Sequence, residues 1–246
     1  MPRTQLYHAP PVIEAVVELK LKDALRPEIL SRLAKSARQS YRNCTESGEY
    51  DVEIKLENGK ADPRIGSIRP IYILSNADQN RFFRIELSKF HWSQMPPYAG
   101  WDEFLAQLSN DLEHFPRSFS FPSLERIGVR YRNRIDVPIE NNKTARYEDY
   151  LQINISSPPI LEPNDGYQWK IEKRFPNTSY ACIVQSLIVT PEIPNTVATM
   201  LDIDIYRYDN FPKDSSNLKE ILKEMRKLKN EIFESCITDK ARNSFQ

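Results

Sequence analysis

The chain has 246 residues, 40% of them apolar and 11% aromatic, which is enough to bury a sizeable core in one large domain or two small ones. Lysine plus arginine equals aspartate plus glutamate at 34 each, so no global charge draws the chain to nucleic acid or an anionic membrane, and any anion binding must be local. No apolar run reaches membrane-spanning length, Met1 to Pro11 lacks the basic-then-apolar order of a signal peptide, and Cys44, Cys182 and Cys236 lack CxxC spacing, so the expectation is a cytoplasmic chain with reduced thiols, no metal site and no membrane partner.

Val12 to Lys22 reads as a strand, with Ile13, Ala15, Val17, Leu19 and Leu21 on one face and Glu14, Glu18, Lys20 and Lys22 on the other. A helix is predicted from Pro27 to about Asn43, with Pro27 in its first turn. Asp51 to Leu56 alternates as a strand, Ile68 to Leu74 reads as a strand interrupted by Pro70, Asn76 to Asn80 as a turn, and Arg81 to Trp92 as one long strand. Beyond the break Met95-Pro96-Pro97-Tyr98, the apolar positions Trp101, Phe104, Leu105, Leu108, Leu112 and Phe115 predict a core-packing helix.

Glu125 to Asp136 places Arg126, Arg130, Arg132 and Arg134 on one face of a strand and Ile127, Val129, Tyr131, Asn133 and Ile135 on the other. A short helical piece follows at Tyr147 to Leu151, then a loop holding Pro158, Pro159 and Pro163. Tyr167 to Phe175 and Tyr180 to Val189 form a predicted hairpin, Met200 to Tyr208 a further strand, and Asn217 to Cys236 a closing helix with Leu218, Ile221, Leu222, Met225, Leu228, Ile232 and Phe233 inward. The order strand, helix, antiparallel strands, helix thus occurs twice, over roughly 12 to 115 and 127 to 236. The expected fold is α+β, an internally duplicated unit with repeats at 1 to 120 and 121 to 246 packed as one body, its sheet saddle-like or helix-grip-like. In element order alone it resembles the arrangement of the TATA-box-binding protein, which licenses no function.

Guanidinium groups are always charged and pair well with carboxylate or phosphate. The arginine face therefore needs anions, and the chain itself supplies Glu14 and Glu18 on the first strand and Asp202 and Asp204 on the Met200 strand. An ion-pair lattice within the sheet is the favoured reading. The functional alternative makes Arg126, Arg130, Arg132 and Arg134 a partner- or anion-binding surface, with Tyr131, Asn133, Asp202 and Asp204 as secondary candidates, and Gly128 leaving a gap on the charged face that a partner can enter. His8, His91 and His114 stand at no triad or metal-ligand spacing, and no phosphate loop, HExxH or GxSxG occurs, so no catalytic residue and no cofactor is assigned and an enzyme is disfavoured.

Three phrases, Ala9-Pro10-Pro11-Val12-x-Glu14-Ala15, Tyr98-Ala99-Gly100-Trp101-x-x-Phe104 and Arg126-x-Gly128-x-Arg130-Tyr131-x-Asn133-x-Ile135, together with the closing Phe233-x-x-x-Ile237-Thr238-Asp239, carry a nearly full-length resemblance. The chain resembles a sporadically distributed bacterial protein family that is defined by sequence and has no assigned biochemical function. Such a distribution implies horizontal transfer, hence an accessory, mobile-element or defence setting. The first two phrases read as architecture: prolines that fix an extended lead-in, and a turn at Gly100 with Trp101 anchoring the helix. The expected function is an adaptor or regulatory subunit that binds a partner protein, with oligomerisation open. The alternative is a nucleic-acid or nucleotide sensor that grips phosphate through the arginine strand.

Overall fold

A computed structural model describes residues 7–57, 60–116, 119–139, 146–153, 158, 160, 166–209, 211 and 217–246. The first residues of the chain and the loop prolines Pro159 and Pro163 lie outside the described residues. The elements in chain order are β1 (Val12–Leu21), α1 (Pro27–Ala37), β2 (Asn43–Glu57), β3 (Lys60–Ser75), β4 (Arg81–Glu86), β5 (Lys89–Gln94), α2 (Trp101–Glu113) and β6 (Leu124–Pro138). A single 3₁₀ turn at Tyr147–Asp149 precedes β7 (Gln168–Arg174), β8 (Tyr180–Val189), β9 (Thr196–Tyr208), α3 (Leu218–Cys236) and α4 (Asp239–Ser244).

All nine described strands form one open antiparallel sheet in the order β2-β3-β4-β5-β1-β6-β9-β8-β7. The two opening strands, β1 and β6, pair at its centre, and each is flanked by the last strand of its own half, β5 and β9 respectively. Strand alternation sends Ala15, Val17, Leu19, Ile127, Val129, Tyr131, Ile203 and Ile205 to one face, where the buried stripes of α1, α2 and α3 join them in one continuous core. That face holds the helices, and the other holds the arginines. Gly100, at φ 103°, makes the turn expected of it before α2, and Trp101 anchors the first turn almost fully buried.

Three local expectations are corrected. The segment Arg81 to Trp92 is two strands, because Leu87 and Ser88 reverse the chain and Glu86 pairs with Lys89. Neither turn residue is glycine, asparagine or aspartate, so alternation ran on unbroken. The first helix stops at Ala37, and Asn43 already pairs with Ser75. Finally, β3 runs through Pro70, which lies opposite Gly48; β4 reaches only Tyr72 to Ser75, so Pro70 stands in a two-stranded stretch with one side unpaired, where a missing N–H costs no ladder bond. Residues 47–57 and 60–71 therefore continue past β4 as a ribbon with no third strand among the described residues. Its alternating Ile54 and Leu56 are exposed.

Candidate functional site

On the open face, β6 lies between the acidic residues of β1 and β9. The register sets Glu14 opposite Arg132 and Glu18 opposite Gly128 on one side, and Asp204 opposite Arg130 and Asp202 opposite Arg132 on the other. Arg126 donates to Glu18 at 2.9 Å and Asp204 at 2.7 Å, Arg130 donates from Nε to Asp202 at 2.8 Å, Arg132 donates to Glu14 at 3.0 Å, and Arg134 holds Asp136 at 3.0 Å and also pairs with Glu192. All four guanidinium groups thus have carboxylate partners within the chain. Arg126 and Arg134 keep only 14% and 11% of their side chains exposed, against 47% for Arg130 and 37% for Arg132. Burial raises the pKa of Asp204 against the opposing pull of Arg126 and Arg130. Glu18 is held below its usual value, first by its contact with His91 and then by Arg126 and Lys89.

The expected gap at Gly128 is filled from within. Arg126 folds back along its own strand so that a Cβ on Gly128 would stand 2.5 Å from its Nη1, and its guanidinium lies 5.0 Å from the centroid of the Tyr206 ring. The glycine thus makes room for a guanidinium that bonds to β1 and β9 together. Asp202 and Asp204 are both committed to arginines, and among the described residues no group of three or more His, Cys, Asp or Glu side chains is placed to hold a metal.

Tyr131 and Asn133 point the other way, into the helical layer, where a cavity of about 380 Å³ opens. Its wall includes Pro10, Pro11 and Val12 from the first phrase, Tyr98 to Trp101 from the second, Tyr131 and Asn133 from the third, and Phe233 from the closing one. Segments separated by more than a hundred residues thus meet at one place. The lead-in is fixed to the far end of the chain: the Ala9 N–H donates to the Phe245 carbonyl at 3.0 Å, and the Tyr7 hydroxyl donates to Glu234 at 2.8 Å. Glu234 also receives Arg242 at 2.8 Å, which links the end of α3 to α4.

Lys229 crosses the cavity wall from α3. It occupies the buried row Leu218, Leu222, Met225, Lys229, Phe233, and its ammonium lies 3.9 Å from the centroid of the Tyr131 ring, with no hydrogen bond or carboxylate partner among the described residues. Desolvation, with help from nearby Arg226, lowers its pKa to about 7, against a weaker opposing pull from Glu234. The Tyr98 and Tyr131 hydroxyls share a 2.6 Å hydrogen bond, and burial raises both phenols, Tyr98 to about 12. Trp101 also lines this wall, and its buried indole N–H has no acceptor.

Sequence reasoning missed Lys229 because a lysine within a Lys/Glu-rich helix was counted to the outer face. The signal was present: 218, 222, 225, 229 and 233 step by four, three, four and four residues, the spacing of one helix face. In a search of family models and of curated proteins, none matches this chain.

Proposed function

We propose that the protein is a non-enzymatic interaction component, an adaptor or regulatory subunit, that binds a partner protein through the ribbon of β2 and β3. The observation that carries this reading is the concentration of exposed apolar side chains there. Of the ten large apolar residues exposed among the described ones, Tyr50, Ile54, Leu56 and Ile68 stand on this ribbon, at 57%, 61%, 76% and 66% exposure. A two-stranded ribbon is marginally stable alone in water, and apolar side chains grouped on it favour a covering surface. The outer edge of β2 also leaves backbone donors and acceptors free for strand addition.

The strand order, with β1 and β6 central and each flanked by its half's last strand, supports a doubled unit divided near residues 120 and 121. The accessory or defence setting in bacteria rests on the family resemblance, and the unpaired state of all three cysteines agrees with a reducing cytoplasm. Phosphate binding by the arginine strand is less favoured, because an incoming anion must displace Glu14, Glu18, Asp202 or Asp204.

The test places a photo-crosslinking residue at Ile54 in the native host, identifies the captured chain, and reconstitutes it with purified protein. The paired substitution Ile54→Glu and Leu56→Glu is expected to weaken that purified complex at least tenfold, on the order of 1.4 kcal/mol, with no loss of melting temperature. Unchanged affinity overturns the reading, as does a wild-type dimer that the same substitutions convert to monomer.

A further inference from the structure

We propose that the cavity over Tyr131 is a receptor for a small organic monoanion, a carboxylate on a flat apolar body, with Lys229 as its counterion. This reading is independent of the partner-protein reading and concerns a separate place, the helical layer over β6.

A buried ammonium without a carboxylate is costly, and folded chains ordinarily pair it. Here the carboxylates that share the wall are not available to do so. Glu234 is taken by Tyr7 and Arg242, Glu103 pairs with Arg81, and Asp102 is 95% exposed at the rim. The missing charge is therefore best supplied from outside. A carboxylate supplies that charge at the cavity wall, where the Lys229 ammonium lies 3.9 Å from the centroid of the Tyr131 ring. Arg226, 5.9 Å from the centroid of the Trp101 ring, is itself paired with the rim carboxylate of Asp102 at 4.0 Å, which leaves Lys229 as the cation to be matched.

The remaining lining favours a flat body. Tyr7, Tyr98, Trp101, Tyr131 and Phe233 contribute rings, and 380 Å³ lies at the small end of the roughly 300–1,000 Å³ typical of ligand clefts. One buried ammonium among neutral donors matches a single negative charge better than the double charge of a phosphate monoester. Clefts that combine apolar walls with a few convergent polar groups and a perturbed lysine are the usual form of binding sites.

Binding must then depend on pH through Lys229, whose surroundings comprise Arg226 and Glu234 on α3, Tyr131 on β6, Tyr98 before α2, Asp102 and Glu103 at its start, and Tyr7 and His8 of the lead-in. The charged amine is the binding form and predominates below about pH 7. Affinity for an anion falls as pH rises above that value. In the free protein the sign is opposite for stability: the folded pKa lies below the unfolded value of 10.5, so the penalty is full below about pH 7 and is relieved as pH climbs toward 10.5.

The experiment titrates the full chain with benzoate, benzamide, phenyl phosphate and indole-3-acetate by calorimetry at pH 6 and pH 9, in wild type and Lys229→Met. The expected result is saturable binding of benzoate or indole-3-acetate at pH 6, at least tenfold weaker at pH 9 and in Lys229→Met, with benzamide not bound. Lys229→Met is expected to melt higher than wild type at pH 6, which separates loss of binding from loss of fold. Absence of saturable binding by either carboxylate overturns the proposal. So does equal binding by Lys229→Met, or phenyl phosphate binding more tightly than both carboxylates.

Discussion

Gly128 shows how one missing Cβ organises a charged surface. Because the space over it is occupied by the Arg126 guanidinium, a methyl group there forces that side chain away from Glu18 and Asp204 at once. Gly128→Ala is expected to cost about 1–3 kcal/mol, the scale of charge-assisted hydrogen bonds lost between partly buried groups. Gain of strand propensity opposes this only weakly. Urea denaturation of a double-mutant cycle with Arg126→Ala checks it: the two losses should be strongly non-additive, and additive losses refute the account. Sequence alternation alone assigned the arginine face and named four of its carboxylates. What it did not contain was which arginine bends over the glycine, since that depends on the registers with β1 and β9 together.

At the scale of elements, Asp111 ties α2 to the sheet. It is fully buried on the inner side of the helix and accepts from the Tyr41 hydroxyl at 2.6 Å, the Trp92 indole at 3.0 Å and the Gln107 amide at 3.0 Å. Burial raises its pKa while these donors oppose the shift. Asp111→Ala leaves two buried donors without acceptors and is expected to destabilise the chain by about 2–5 kcal/mol, read as a fall in thermal midpoint. A fall no larger than that of an exposed substitution such as Glu113→Ala refutes the role. Periodicity placed α2, α3, β1, β6, β7 and β8 to within a few residues, because a face buried in a core must repeat with its element, whereas β2 and β3 each begin eight residues before the expected starts at Asp51 and Ile68. It failed at the β4–β5 reversal, where backbone hydrogen bonding turns the chain without help from turn-forming residues. Along the ribbon, alternation continues although Ile54 and Leu56 are exposed and no further described strand pairs with β2.

Taken whole, the molecule has one core that runs through both halves. Leu19 and Val17 of β1, Val129 and Tyr131 of β6, and Leu222 and Met225 of α3 belong to the same buried cluster as Leu33, Phe83 and Trp92. Central pairing of β1 with β6 makes the strand edge of either half the partner of the other. Thermal or denaturant unfolding is therefore expected to be a single transition seen alike by tryptophan fluorescence and far-ultraviolet circular dichroism. Two separated transitions refute that coupling.

The amino-acid sequence by itself determined the classes of element, the two-faced character of β6, and the balance of charge that keeps its arginines at home, because strand and helix periods and side-chain charge are local properties. Only the tertiary structure decided where the phrases at 9–12, 98–101, 131–133 and 233 meet, and that Lys229 faces inward there without a paired carboxylate among the described residues. Contacts between segments so far apart follow from strand order and from the docking of α3 on β6 and β9. Neither has a period that a single sequence can display.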